Sequence, residues 1–157
     1  MQKIGTCLWF DGRAEEAANF YLSIFKGGKL GSVARYGDAG PGEKGSVMTV
    51  TFEIEGREFM ALNGGPLFQL TPAISFVVHC KDQEEIDQYW NKLLQGGAPQ
   101  QCGWLTDKFG VSWQIVPAIL GDLMQDEDQE KVKRVMQAML KMVKLDVAAL
   151  QHAYEQG

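Results

Sequence analysis

Histidine is scarce in this chain: His79 and His152 are the two present among 157 residues. A site built from several imidazoles is therefore excluded. Cysteine is nearly as sparse. Cys7, Cys80 and Cys102 are odd in number and none belongs to a Cys-x-x-Cys pair, which argues against a zinc knuckle and against a disulfide framework. Each lies in an apolar, strand-like run, where a free thiol usually serves as a small core residue. A reducing cytoplasm is then the expected compartment. No apolar run approaches the roughly 20 residues needed to cross a bilayer, so no membrane association is expected. The N-terminus enters a strand pattern at once, without the basic, apolar and small-residue order of a signal peptide. Basic residues are outnumbered, 15 Lys and Arg against 20 Asp and Glu, and the densest basic stretch is the short Lys131-Val-Lys-Arg134. Nucleic acid is not an expected partner. The loop from Gly37 to Gly45 is glycine-rich but lacks the Gly-Lys-Ser/Thr ending and the following helix of a phosphate-binding loop; it reads as a mobile connection.

What is present is a duplicated pattern. The length and the 45% hydrophobic content suit one globular domain with a sizeable core. Ile4 to Phe10 reads as a buried strand, and Asp11 as the cap of a helix whose stripe is Ala14, Ala17, Ala18, Tyr21, Ile24 and Phe25. Gly27-Gly28 ends that helix, because glycine takes the left-handed conformation of a C-terminal cap. Strands are predicted over 29–36, 46–54 and 57–63, the last two joined at Glu55-Gly56. After Gly64-Gly65-Pro66 the pattern restarts. Ala73 to Cys80 reads as a strand, Asp82 as a cap, and Ile86, Tyr89, Trp90, Leu93 and Leu94 as a stripe closed by Gly96-Gly97. A shift of 69 residues places Phe20-Tyr21 on Tyr89-Trp90 and one glycine pair on the other. That is an internal repeat of a strand–helix–strands unit.

The second unit closes on Trp104 to Pro117, two short apolar runs around the turn Asp107-Lys-Phe-Gly110. Alternation from Val111 to Val116 sets Gln114 opposite Trp113 and Ile115. Gln114 is then either a sheet residue meeting water or a polar group offered to a ligand. The remainder is helical, with a stripe of Val132, Val135, Met136, Met139, Leu140 and Val143, and with Asp146 capping a last short helix. Its methionines read as filler packed on the sheet.

The repeated βαβββ unit with its Asp-x-x-Gly turn resembles the glyoxalase/bleomycin-resistance/dioxygenase group, the vicinal oxygen chelate superfamily. The stretches Leu8-Trp-Phe-Asp-Gly-Arg-Ala-Glu-Glu-Ala-Ala-Asn-Phe-Tyr21 and Gly103 to Pro117 are similar to its PhnB-like branch, whose members often carry the name 3-demethylubiquinone-9 3-methyltransferase. The resemblance runs over essentially the whole chain, C-terminal helices included. It implies an α+β fold: two βαβββ-type modules forming a curved mixed sheet and a cleft, with added C-terminal helices. Module one would span 1–66, module two 67–117 and the extension 118–157, as one glyoxalase-like domain. It also implies a homodimer.

Enzymes of this superfamily usually hold Mn, Fe, Ni or Zn between His or Gln and Glu ligands. Carried over by residue, most of that set is missing. Ala73 stands where a histidine ligand belongs, and the 69-residue shift puts Ile4 at the matching place in module one. Asn63 falls near a usual glutamate, and Gln114 takes the place of the last strand's glutamate. The expectation is no metal and no cofactor. The candidate ligand pocket comprises Thr6, Trp9, Asn63, Ser75, His79, Trp104 and Gln114, a mixture of aromatic and neutral polar groups suited to a small organic molecule. Which face of the first strand looks inward is not fixed by its pattern, so Cys7 and Trp9 are alternatively core. Thr6, Asn63, Ser75 and Gln114, among aromatics such as Trp9 and Trp104, supply orientation by hydrogen bonds but no acid, base or nucleophile, and His79 reads as a rim histidine rather than a ligand. Two alternatives stand beside the binding protein: a metal-dependent enzyme with atypical ligands such as Gln114, His79 and Asn63, and a dimeric scaffold with a vestigial cleft. S-adenosylmethionine chemistry is not supported, because the first strand runs into Asp11-Gly-Arg rather than a glycine-rich turn within an alternating parallel α/β pattern.

Overall fold

The computed structural model describes residues 2–156 and divides into two compact units, one ending at Leu70 and one beginning at Thr71. In the first, β1 (Thr6–Phe10) leads to α1 (Ala14–Ile24), then β2 (Lys29–Arg35), β3 (Val47–Ile54) and β4 (Arg57–Asn63). In the second, β5 (Phe76–Cys80) leads to α2 (Gln83–Leu94), β6 (Ala98–Pro99), β7 (Trp104–Thr106) and β8 (Ser112–Pro117). Three helices follow: α3 (Ile119–Met124), α4 (Gln129–Met139) and α5 (Val147–Glu155). The sheet orders are β1-β4-β3-β2 and β5-β8-β7-β6, so the two units share one topology. In each, the first strand runs parallel to the last, and the last pairs antiparallel with its predecessor. The fold is α+β, with two four-stranded mixed sheets and C-terminal helices, as the resemblance implies.

Each sheet buries one face. In the first unit, Leu8, Phe10, Val50, Phe52, Phe59 and Ala61 alternate onto the face that receives Ala14, Ala17, Ala18 and Tyr21 of α1. The Tyr21 ring stacks on Phe52 at 6.1 Å, and Phe52 on Phe59 at 5.2 Å. Gly27 and Gly96 both take a φ of +73°, the left-handed cap expected of the paired glycines. The glycine after each lies against the neighbouring strand: a Cβ on Gly97 would stand 2.1 Å from the Thr106 carbonyl oxygen.

Several expectations are corrected. Ile4 lies outside β1 and is exposed, and the second unit's first strand begins at Phe76 rather than Ala73, with Ile74 exposed. Asp82 caps α2 by accepting from the Glu85 amide, as expected, but Asp11 makes no such bond in α1. There the Ala14 amide donates instead to Asn63 Oδ1 of β4 at 2.8 Å. The reason is one inserted residue. Three residues separate β1 from α1 and two separate β5 from α2, with Gly12 turning through φ +80° in the longer link. Helix starts Ala14 and Gln83 are 69 apart, whereas strand ends Phe10 and Cys80 are 70 apart. The strand equivalent of Ala73 is therefore Lys3, not Ile4. Among the cysteines, Cys80 is buried as expected, but Cys7 is exposed and Cys102 sits in a turn. The predicted stripe of the long C-terminal helix also ends early: α4 stops at Met139, and Leu140 and Val143 are exposed.

The C-terminal helices belong to the second unit. Leu123, Val135, Leu145 and Leu150 form a cluster that packs Met124, Met139, Met142 and Val116 of β8. Gln83 of α2 ties this segment down, donating to the Leu145 carbonyl and accepting from the Val147 amide. Asp146 caps α5 through the Ala149 amide. At the far end of α5, Arg134 donates to the Ala153 and Tyr154 carbonyls, and the Tyr154 hydroxyl donates to the Asp126 carboxylate. That bond holds Asp126 below the usual carboxylate range and pushes Tyr154 above the usual phenol range. The lowered Asp126 contributes stability above the ordinary carboxylate pKa and loses it as pH falls through its own value. The raised Tyr154 contributes fully below the ordinary phenol pKa and loses it as pH rises through its own value. Protection of the α5 amides, taken relative to the intrinsic exchange rate at each pH, is therefore expected to be greatest across neutral pH and to fall at both extremes. In Tyr154→Phe that protection should be several-fold lower at neutral pH and lose both dependences.

Candidate functional site

The turn predicted at Asp107-Lys-Phe-Gly110 is built on a buried carboxylate. Asp107 is 3% exposed. Its Oδ1 accepts from the Phe109 and Val111 amides at 2.8 and 3.0 Å, and its Oδ2 accepts from Trp113 Nε1 at 2.9 Å. Gly110 completes the reversal with φ +93°. The carboxylate thus joins the turn to the core face of β8 and fixes the register Trp104↔Gln114, Leu105↔Trp113 and Thr106↔Ser112. Because side chains alternate along a strand, Trp113 and Ile115 enter the core while Ser112 and Gln114 face the opposite way, beside Trp104 and Thr106.

The neighbouring strand adds to this open face. Val77 pairs with Gln114 and His79 with Val116; Ser75, two residues before Val77, completes the row. The Gln114 amide nitrogen donates to Ser75 Oγ at 2.9 Å. Its carbonyl oxygen makes no hydrogen bond among the described residues. Of the seven sequence-derived pocket residues, Ser75, His79, Trp104 and Gln114 share this one face of the second sheet. His79 is exposed and stands two residues along β5 from the strand partner of Gln114, about 7 Å at the usual strand rise.

The other three lie in the first unit and do not form a group. Thr6 follows the parity of Leu8 and Phe10, the helix-packed side of β1. Asn63 is on the same side of its own strand; besides capping α1, its Nδ2 donates to the Val47 carbonyl at 3.1 Å, and its backbone carbonyl accepts from the Tyr36 hydroxyl at 2.6 Å. Trp9 does face away from the core, and its ring is held by the chain that follows β4. Its Nε1 donates to the Gly65 carbonyl at 2.8 Å, Phe68 meets it edge-on at 4.9 Å, and Gly64 approaches so closely that a Cβ there would be 2.4 Å from the indole. Cys7, beside it on β1, is exposed, and partial desolvation pushes its thiol pKa up, the opposite of an activated nucleophile. Burial, then Glu85 and Asp82, push Cys80 up to about 12.

The donors on the second sheet's open face do not fit the chelate of the superfamily. Two neutral amide or hydroxyl groups and one imidazole displaced along the strand supply no carboxylate, and hard divalent cations are held by anionic oxygens. Among the described residues, no three His, Cys, Asp or Glu side chains come together to hold a metal ion. No helix among them is long and apolar enough to cross a membrane.

Sequence reasoning passed over the wall next to Gln114. A cavity of about 340 Å³ is lined by Pro72, Gln101, Cys102, Trp104, Thr106 and Ser112, with Gln100 at its side. The alternation that singled out Gln114 also selects Ser112, two residues earlier. Thr106 follows from the hairpin register. Cys102 and Pro72 had no such signal, since turns bring them in. A second cavity of about 360 Å³ in the first unit lies between Asp11, Glu15, Tyr36 and Asn63.

Residues 2–116 match the sequence profile of the 3-demethylubiquinone-9 3-methyltransferase family, which leaves α3 to α5 outside the matched span. The PhnB protein of Bacillus cereus is 44% identical over 74% of this chain and 100% of its own, with a TM-score of 0.68. Protein PA1353 from Pseudomonas aeruginosa shares the fold at 23% identity, covering 74% of this chain and 98% of its own, with a TM-score of 0.62. The fosfomycin resistance protein FosX from Listeria monocytogenes, solved with Mn(II) and a sulfate ion, is 14% identical over 80% of this chain and 98% of its own, with a TM-score of 0.55. No curated protein sequence matches the chain. With its repeated topology, its Asp-x-x-Gly hairpin and these relatives, the chain belongs to the 3-demethylubiquinone-9 3-methyltransferase family, the PhnB-like branch of the glyoxalase/bleomycin-resistance/dioxygenase superfamily.

Proposed function

We propose that this protein binds a small organic molecule on the open face of the second sheet, and that it does so without the superfamily's metal. The observation that carries the reading is the grouping of Ser75, His79, Trp104 and Gln114 on one face, with Gln114 oriented by Ser75 and its carbonyl oxygen left to accept. An aromatic surface with a few oriented neutral polar groups is the usual make-up of a small-molecule site. The likeness to FosX extends to the fold alone, so its Mn(II) is not carried over. The one imidazole on this face, His79, is exposed and makes no hydrogen bond among the described residues that would orient it as an acid or base, so binding is proposed and a reaction is not. Methyl transfer from S-adenosylmethionine is not proposed either. That cofactor is usually held at the strand ends of a parallel, doubly wound sheet, and both sheets here are mixed and four-stranded.

The test is a thermal-shift screen of neutral aromatic and quinone-like compounds in the presence of EDTA. Hits are expected to raise the melting temperature of the wild type. They should bind about tenfold more weakly to Gln114→Ala, the loss of one oriented hydrogen bond in a desolvated site, with that variant's own melting temperature almost unchanged. An absence of hits, or hits indifferent to Gln114, would favour a scaffold instead.

A further inference from the structure

We propose that the cavity beside Trp104 takes a neutral, largely apolar ring compound bearing one carbonyl oxygen, and that the Ser112 hydroxyl recognises that oxygen. This deepens the open-face reading and rests on it, because Trp104 lines the cavity and also stands directly across from Gln114.

Ser112 is the starting point. It is 2% exposed, and its Oγ has no hydrogen-bond partner among the described residues. Buried hydroxyls are almost always paired, since desolvation without a partner is costly. Serine here is not required by the strand, where a β-branched or apolar residue would fit better. Ser112 is one of the residues that line the cavity, and strand alternation sets its side chain on the face of Thr106, its partner in the register. A serine O–H can donate to a carbonyl and thereby satisfy itself.

The walls determine the rest of the ligand. At about 340 Å³ the space falls within the range of small-molecule sites. Pro72 and Trp104 offer flat apolar surface, Gln100 and Gln101 add neutral amides, and among the described residues no Asp, Glu, Lys, Arg or His lines it. A charged ligand would lose its hydration without meeting a counter-charge. The wall at Cys102 is held rigidly: this non-glycine residue has φ +60°, and its amide donates to the Met142 carbonyl at 2.9 Å, while Gly103 donates to Val143 at 2.7 Å. The segment between α4 and α5 thereby braces the cavity.

The probes are 1-tetralone, the hydrocarbon tetralin and the anion 1-naphthoate, titrated calorimetrically into the full chain. In parallel, N-ethylmaleimide labelling of Cys102 is followed by peptide mass spectrometry in Cys7→Ser protein. 1-Tetralone is expected to bind about tenfold more tightly than tetralin, 1-naphthoate not to bind, and saturating 1-tetralone to slow Cys102 labelling several-fold. Ser112→Ala should melt no lower than the wild type, since it deletes an unpaired buried hydroxyl, and should bind ketone and hydrocarbon alike. Ser112→Cys, nearly isosteric and a weak donor, should also lose the ketone preference, and it serves should the alanine variant fail to fold. Equal binding of ketone and hydrocarbon by the wild type, a ketone preference that survives loss of Ser112, or unprotected Cys102 would overturn the proposal. If 1-tetralone binding instead depends on Gln114 while Cys102 stays unprotected, the cavity assignment falls and the open-face reading stands. If neither these probes nor any compound of the wider screen binds, both fall.

Discussion

Asp107→Ala is expected to lower the unfolding free energy by about 3–5 kcal/mol, the scale for removing one partner from a buried, charge-assisted network. For a chain of this size that is a fall in melting temperature of roughly 10 °C. The cause is specific. The substitution leaves the Phe109 and Val111 amides and the Trp113 indole N–H without their acceptor inside a buried turn. Asp107→Asn can keep an acceptor for the turn amides, but its NH₂ then meets the donor on Trp113, so a loss of about 2 kcal/mol is expected. Combining it with Trp113→Phe should cost less than the sum of the two single changes, because the conflicting donor is gone. Chemical denaturation of the wild type and these four variants checks this. An Asp107→Ala variant as stable as the wild type would mean that the Asp-x-x-Gly motif is not the structural lock of this hairpin.

Asn63→Ala is expected to cost about 2–3 kcal/mol: about 1 for a lost helix cap and the rest for the broken bond to the Val47 carbonyl and the buried amide left behind. The resemblance to the superfamily would set this position near a metal-binding glutamate, so the variant separates two roles. A residue that ties β4 to α1 and β3 changes the melting temperature and leaves the Gln114 face able to bind. A ligand contact would change binding and leave melting alone. Asn63→Asp keeps the cap acceptor but sets a carboxylate oxygen against the Val47 carbonyl, and should fall between wild type and alanine.

The repeat and both helical stripes were legible because they rest on periodicity and on paired glycines, which are local. Gln114 was legible for the same reason, since alternation after a short turn leaves only two faces. The parts not legible depended on single-residue insertions and on contacts distant in the chain. Gly12 adds one residue between β1 and α1, which shifts the strand repeat to 70 while the helix repeat stays at 69. It also moves the helix start away from Asp11, so the cap comes from Asn63, 49 residues later. A strand slip of one residue exchanges the two faces, so the pattern of β1 alone leaves open which side Cys7 and Trp9 take. The apolar stripe through Leu140 and Val143 was overextended because periodicity does not mark where a helix ends, and no glycine stands after Met139. Ser112 could have been recognised from its parity with Gln114, but its lack of a partner is a three-dimensional fact.

A Gln114 face that works without the metal typical of this superfamily has a plain consequence for elemental analysis of protein purified without chelator. Far less than one equivalent of Mn, Fe, Ni or Zn per chain is predicted, with no difference between the wild type and Gln114→Ala. One equivalent per chain in the wild type, lost in Gln114→Ala or His79→Ala, would contradict it.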